Sequence, residues 1–307
     1  MNIFRKSTEA FAKINLLLRI TGIRRDGYHL LSTVMQTVSI SDTVEMEIDF
    51  SEGSVRTLPE ISLGRQAEGA PSDVTNTMYR AADAFLKKIG SPPVHVTIRT
   101  RKRIPVQAGL GGGSSDAAAV LKLMNEAYSG ALTRAGTISI AQNIGADVPF
   151  FLDGGAALCE GVGERITPLS ALPGLPLLII KPKRGVSTPE AYRAFDLGAR
   201  DFSEGIGENR EMMRILSANE ESSLARLQQI VPFISNDLQS AAIGLVPEIA
   251  RILEFFEKLE PVCSSVTGSG SAVFAVFDHA STRDFAARAA EGLRVFGFEV
   301  FSCETLG

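Results

Sequence analysis

Cysteine is scarce in this chain, and the few present do not suggest pairing. The 307 residues include three cysteines, Cys159, Cys263 and Cys303, an odd number at wide spacing that fits neither a disulfide framework nor a CxxC metal site. They read as reduced thiols of a cytoplasmic protein. Long apolar runs are missing as well. Nothing approaches the roughly 20 residues of a membrane span, and the densest run, Leu175 to Ile180, has the length of a buried strand. No apolar segment follows Met1-Asn2-Ile3-Phe4-Arg5-Lys6, so a signal peptide is not expected. Positive charge is not in excess either: 31 Lys and Arg stand against 35 Asp and Glu, a net charge of −4. Without a basic surface, nucleic acid is a poor partner.

Several catalytic signatures are also missing. The chain contains no Gly-Lys pair, which excludes a P-loop, and no GxGxxG, HExxH or GxSxG. What it does have is the run Gly109-Leu110-Gly111-Gly112-Gly113-Ser114-Ser115-Asp116. Ala117, Val120, Leu121, Met124 and Tyr128 follow at helical spacing, so the run opens a helix. Backbone N–H groups and the positive dipole end at such a terminus bind anions. Glycine lets the backbone approach a ligand closely, at an entropic cost that a mere lead-in to a helix would not justify. The serines read either as donors to phosphate oxygens or as simple helix caps.

The 45% apolar content is that of a folded protein, and the length accommodates two domains. Alternation predicts a strand over Phe11 to Ile20, with Lys13 and Asn15 on one face, and further strands at Val44 to Phe50, Val94 to Ile98, Leu177 to Lys181 and Phe298 to Cys303. Asp26-Gly27 marks a turn, and residues 51–72 read as a loop or insertion. Helices are predicted over Asn76 to Lys88, from the glycine run to about Gly130, before Gly145 (a candidate C-cap), after Ser187-Thr188-Pro189-Glu190, through most of 207–258, and over 282–293. The stretch Val262 to Phe277 has strand character interrupted by Gly268-Ser269-Gly270. Without a strict βαβ repeat, the expected class is α+β.

Three segments in order resemble the motifs of the GHMP small-molecule kinases: Ala12-Lys13-Ile14-Asn15-Leu16, then Pro105 to Ser115, then Val266-Thr267-Gly268-Ser269-Gly270-Ser271-Ala272-Val273-Phe274. Gly22-Ile23-Arg24-Arg25-Asp26-Gly27-Tyr28-His29 and Gly145-Ala146-Asp147-Val148-Pro149-Phe150-Phe151 are similar to one branch of that family. Its substrate is a cytidine diphosphate-linked methylerythritol of the non-mevalonate isoprenoid pathway. The resemblance runs from about residue 9 to about 300 and is weakest at 51–72 and 196–235. Gln107-Ala108 departs from it where relatives carry more glycine.

The resemblance implies a two-domain GHMP kinase fold. Residues 1–160 would form a ribosomal protein S5 domain 2-like nucleotide domain and 161–307 a ferredoxin-like domain, with substrate in a cleft between them. The implied cofactors are ATP and Mg2+, and the implied state is a monomer or weak homodimer. Asp147 is implied as general base and Lys13 as its partner; a carboxylate near the attacking hydroxyl can take its proton, and an ammonium keeps that carboxylate ionised. For ATP the implied residues are Asn76, Lys102, Pro105, Gly109, Leu110, Gly111, Gly112, Gly113, Ser114 and Ser115, with Ser115 the candidate metal ligand. Asn76 reads equally as an N-cap. For substrate they are Asn15, Tyr28, His29, Asp147, Tyr192, Gly268 and Ser269. Asn15 and His29 would meet the edge of the cytosine, and Tyr28 would stack on it. Tyr192 reads as a second stacking ring or as a core residue, and Gly268-Ser269-Gly270 as a phosphate contact or a bulge.

Overall fold

Apolar residues at every second position make the longest elements, two strands of 21 residues each: β1 (Ile3–Ile23) and β2 (His29–Asp49). The turn between them carries Asp26-Gly27, as predicted, with Gly27 donating to the Arg24 carbonyl. The computed structural model describes residues 3–50, 60–63, 71–91, 94–198, 206–218 and 221–307. Chain contacts divide it into two units interleaved in sequence: Met1–Ala12, Ser41–Val106 and Gly111–Asp153 form one, and Lys13–Ile40, Gln107–Leu110 and Gly154–Gly307 the other.

In the first unit, β2 runs on to β3 (Glu60–Leu63), α1 (Thr77–Ile89), β4 (His95–Arg101), α2 (Gly112–Ala127), α3 (Arg134–Ile144) and α4 (Val148–Phe151). β4 lies antiparallel on Thr43–Asp49, and β3 lies parallel on β4. Val44, Met46, Ile48, Val96 and Ile98 are buried at alternate positions. Helices α1 and α2 pack on each other and against α3, with Phe85, Leu86, Val120, Leu121 and Met124 in the core. The expectation of a loop over 51–72 is corrected at 60–63. That strand is too short for a periodic signal and is held by its pairing with β4; residues 51–59 and 64–70 lie outside the described residues. Gly145 does follow α3, but in extended backbone rather than the left-handed form of a cap glycine. There the chain passes close to Val148 and Ser114.

The second unit holds β5 (Ala156–Gly161), β6 (Arg165–Leu169), β7 (Pro176–Lys181), α5 (Thr188–Asp196), α6 (Ile206–Ser217), α7 (Ser223–Ile230), β8 (Ser235–Asn236), α8 (Gln239–Leu245), α9 (Glu248–Glu257), β9 (Cys263–Val266), β10 (Val273–Val276), α10 (Ala280–Ala290) and β11 (Glu299–Glu304). β5 pairs antiparallel with Leu31–Gln36 of β2, and β8 pairs parallel with β1 at Leu17–Leu18. The order β11-β7-β10-β9, antiparallel throughout, is that of a ferredoxin-like sheet. Helices α9 and α10 cover it over Ile180, Ile249, Ile252, Phe256, Val273, Ala286 and Ala290. All three cysteines are buried thiols outside any disulfide, and burial pushes Cys263 and Cys303 up to about 12, so they act as core residues. Among the described residues, no helix is long and apolar enough to cross a membrane.

Candidate active site

Within the second unit, residues more than 250 positions apart converge on Lys13. Its side chain is buried, yet the ammonium keeps its donors engaged: it gives one hydrogen bond to Asn15 Oδ1 at 2.5 Å and another to the Gly109 carbonyl at 2.7 Å. A buried ammonium without such acceptors would be costly. Asn15 is in turn fixed by Nδ2 donating to Thr33 Oγ1 (2.7 Å), while its Oδ1 accepts from Thr267 Oγ1 (3.2 Å). The Lys13 amide donates to the Leu110 carbonyl at 3.1 Å. Thr267 and Gly268 lie in the turn between β9 and β10, and Asn236 Nδ2 holds that turn through the carbonyls of Val266 and Gly268, both at 2.8 Å. A Cβ on Gly268 would sit 2.8 Å from the Gly109 oxygen and 3.2 Å from Lys13 Nζ. The first and third motifs and the start of the second therefore meet at one ammonium.

Asn15 bonds Lys13, Thr33 and Thr267, an arrangement that orients the lysine. Tyr28 is 65% exposed, with the Arg24 guanidinium 5.7 Å from its ring centroid. Tyr192 stacks on His29 at 4.6 Å between centroids and packs against the cluster of Leu18, Ile20 and Leu238. Ser187 stands at the N-cap of α5 without a side-chain cap bond, and Thr188 Oγ1 instead meets Ser269 Oγ at 3.0 Å.

The first unit holds the rest of the glycine run. Helix α2 starts at Gly112, and its N-cap is Gly111, whose left-handed φ of 73° and missing side chain leave the first turn uncapped. That turn contains no acidic residue. The amides of Gly112, Gly113 and Ser114 are thus disposed as an anion site at the end of a 16-residue helix, which fits the phosphates of ATP. Ser115 fits less well as a metal ligand, because it is buried and its hydroxyl donates to the Phe11 carbonyl at 2.7 Å. Among the described residues, no three His, Cys, Asp or Glu side chains converge as a metal site.

Asn76 acts as the N-cap of α1, with Oδ1 accepting from Met78 N at 2.8 Å and Nδ2 donating to the Pro71 carbonyl at 2.7 Å. Lys102 lies under the start of α2: a Cβ on Gly112 would be 3.4 Å from its Nζ. It bridges two buried carboxylates, Asp42 and Asp116, the second at 2.7 Å. Asp42 also takes the amides of Arg103 (2.5 Å) and Ile104 (2.8 Å), which fixes the corner leading into the glycine run. Burial opposes the charge on Lys102, but attraction to Asp116 and Asp42 overrides it, and its pKa rises. Burial, reinforced by Asp42 and opposed by Lys102, pushes Asp116 up to about 7.

Asp116 makes stability depend on pH. Between its ordinary pKa of 3.8 and about 7 the folded chain holds a proton that the unfolded chain releases. Stability therefore falls as pH rises through that window, by at most about 1.4 kcal/mol per unit. Asp116→Asn should flatten this slope, which denaturant titrations at pH 5 and pH 8 would reveal; parallel curves for native and variant would refute it.

Asp147 stands at the N-cap position of α4, half-buried, and its carboxylate does not cap the helix. The buried Val148-Pro149-Phe150-Phe151 turn anchors it from behind, and the chain just before it, at Gly145, passes 3.8 Å from Ser114 Oγ (measured to an added Cβ).

Asp42, Asp116, Thr267 and Asn236 were not singled out in the sequence. A single signal existed for Asp42, a carboxylate inside the otherwise strand-like Val38-Ser39-Ile40-Ser41-Asp42-Thr43-Val44. Thr267 sat inside a recognised motif but carried no local mark of its bond to Asn15.

Comparison with known families places this geometry. The GHMP kinases N terminal domain matches residues 76–155, and the GHMP kinases C terminal domain matches residues 206–293. The chain belongs to the GHMP kinase family. Among GHMP kinases it is 41% identical over 269 residues to a 4-diphosphocytidyl-2-C-methyl-D-erythritol kinase of Desulfitobacterium hafniense (strain Y51), covering 87% of this chain and 85% of the relative. It is 37% identical over 302 residues to the kinase of the same name from Caldicellulosiruptor bescii, covering 97% of this chain and 99% of the relative. A crystal structure of 4-(cytidine 5'-diphospho)-2C-methyl-D-erythritol kinase superposes with a TM-score of 0.73 at 31% identity, covering 98% of this chain and all of the other. A homoserine kinase from Cytophaga hutchinsonii superposes with a TM-score of 0.71 at 16% identity, over 100% of this chain and 95% of that one, and so shares the GHMP fold.

Proposed function

We propose that this GHMP kinase transfers the γ-phosphoryl group of ATP to the 2-hydroxyl of 4-diphosphocytidyl-2-C-methyl-D-erythritol, giving the 2-phosphate and ADP. The observation that carries the reading is the convergence of Lys13, Asn15, Gly109, Thr267 and Gly268, three motifs joined at one ammonium. The names of relatives at 37–41% identity supply the substrate. In this reading the uncapped amides of α2 hold phosphate oxygens. Asp147 accepts the proton of the attacking hydroxyl, and Lys13 offsets charge on the transferred group. Transfer is direct and in line, with no covalent enzyme intermediate. Tyr28 offers an exposed ring on which the cytosine stacks.

ADP release with ATP and a magnesium salt tests the reading, comparing the cytidyl substrate with homoserine and mevalonate. Turnover should be confined to the cytidyl substrate; turnover of homoserine or mevalonate in its place would assign the chain to another GHMP kinase activity. Tyr28→Ala should raise KM for the cytidyl substrate by about tenfold and change kcat little, since stacking on a base contributes roughly 1–3 kcal/mol. An unchanged KM would remove Tyr28 from the base site.

A further inference from the structure

The last turn of α5 clamps His29 from three directions. Tyr192 stacks on the imidazole, Phe195 meets it edge-on at 6.2 Å, and Asp196 Oδ1 lies 2.8 Å from Nε2. Both aromatic rings rest on the apolar cluster of Leu18, Ile20 and Leu238, so the clamp stands on β1 and not on solvent-facing chain. The His29 side chain is 10% exposed and that of Asp196 33% exposed. Solvation of the turn does not account for so defined a placement of one ring.

A carboxylate only accepts hydrogen bonds, so the proton facing Asp196 sits on Nε2. In the neutral ring the other nitrogen, Nδ1, is then an acceptor. An acceptor pairs with the 4-amino group of cytosine and repels the 4-oxo group of uracil. We propose that Asp196 is a positioning residue for base selection: it holds His29 in the tautomer with an acceptor at Nδ1, and His29 so held favours cytidine over uridine substrates. This rests on the cytidyl substrate proposed above.

The test compares native protein with Asp196→Asn on the cytidyl substrate and its uridyl counterpart. Asparagine can donate its amide N–H to Nε2, which places the ring proton on Nδ1 and turns the acceptor into a donor; it can also accept from Nε2 through Oδ1, so 15N NMR of the variant reads which tautomer it holds. The expected result is a rise of about tenfold or more in KM for the cytidyl substrate, a smaller change in kcat, and a cytidyl-to-uridyl preference reduced by about the same factor. Asp196→Glu, which keeps the carboxylate, should recover much of the preference. The chain has only three histidines, His29, His95 and His279, so the ring nitrogens can be assigned by 15N NMR of the native protein even if the variants fold poorly. His29 should show a protonated Nε2 and an unprotonated Nδ1 at pH 7.5. A proton on Nδ1 there, or an unchanged preference in a folded Asp196→Asn protein whose His29 carries its proton on Nδ1, overturns the proposal. If the native protein is active on the cytidyl substrate, that result leaves the proposed function standing. If the native protein does not phosphorylate the cytidyl substrate at all, both readings fall together.

Discussion

Asp147→Asn is expected to lower kcat by about 10²–10⁴-fold, the range for loss of a general acid–base group, with KM for ATP and the cytidyl substrate close to native. Asparagine keeps the shape of the side chain and removes its ability to take up a proton. The carboxylate makes no cap bond to α4, and the turn behind it is held by buried Val148, Pro149, Phe150 and Phe151, which asparagine leaves in place. A loss shared equally by kcat and kcat/KM would place the interaction in the transition state alone. Single-turnover measurements with both substrates saturating separate this from slow product release. A variant that retains near-native kcat would exclude Asp147 as the base.

Gly109→Ala is the second large effect, and it acts through packing. Gly109 has a φ of 75°, and a Cβ there would lie 2.0 Å from the Thr267 carbonyl oxygen and 2.9 Å from its carbon. Both obstacles are backbone, so no side-chain rotation relieves them. The left-handed conformation alone costs a non-glycine residue roughly 1–2 kcal/mol. Forced separation of the two loops should bring the loss to roughly 3–5 kcal/mol and disturb the carbonyl that holds Lys13. Gly130→Ala is the control: its φ is 77°, but nothing lies within 4 Å of the added carbon, so only the conformational cost applies. Denaturation midpoints of the two variants isolate the contribution of close approach. Equal losses would show that the contact between the two loops is not limiting.

The alternation at 11–20 of β1, at 44–50 of β2 and along β4, and the 3.6-residue spacing along α1 and α2, were legible in the local pattern; the first part of β2 was not, because Ser32–Val38 is buried on both faces. The motifs were legible because glycine runs and Asp-Gly turns are local features. Asn76 shows how much one residue type can leave open: it fits an N-cap and a ligand contact equally, and the structure shows the cap. Asn15 shows what local spacing leaves out: its partners Thr33 and Thr267 lie 18 and 252 residues away, and spacing in sequence cannot reveal them. The same holds for Asp42, whose hydrogen bonds to Arg103 and Ile104 cross about 60 residues.

By itself, then, the sequence determined the α+β class, most of the elements, the family and the segments that carry its chemistry, all of which depend on local spacing and residue type. Tertiary structure decided which groups meet: Lys13 with Gly109 and Asn15, Lys102 with two aspartates, His29 with Asp196. Those pairings follow from desolvation. A buried charge must find its partner wherever the packed core brings one near, and that choice is made in space and not along the chain.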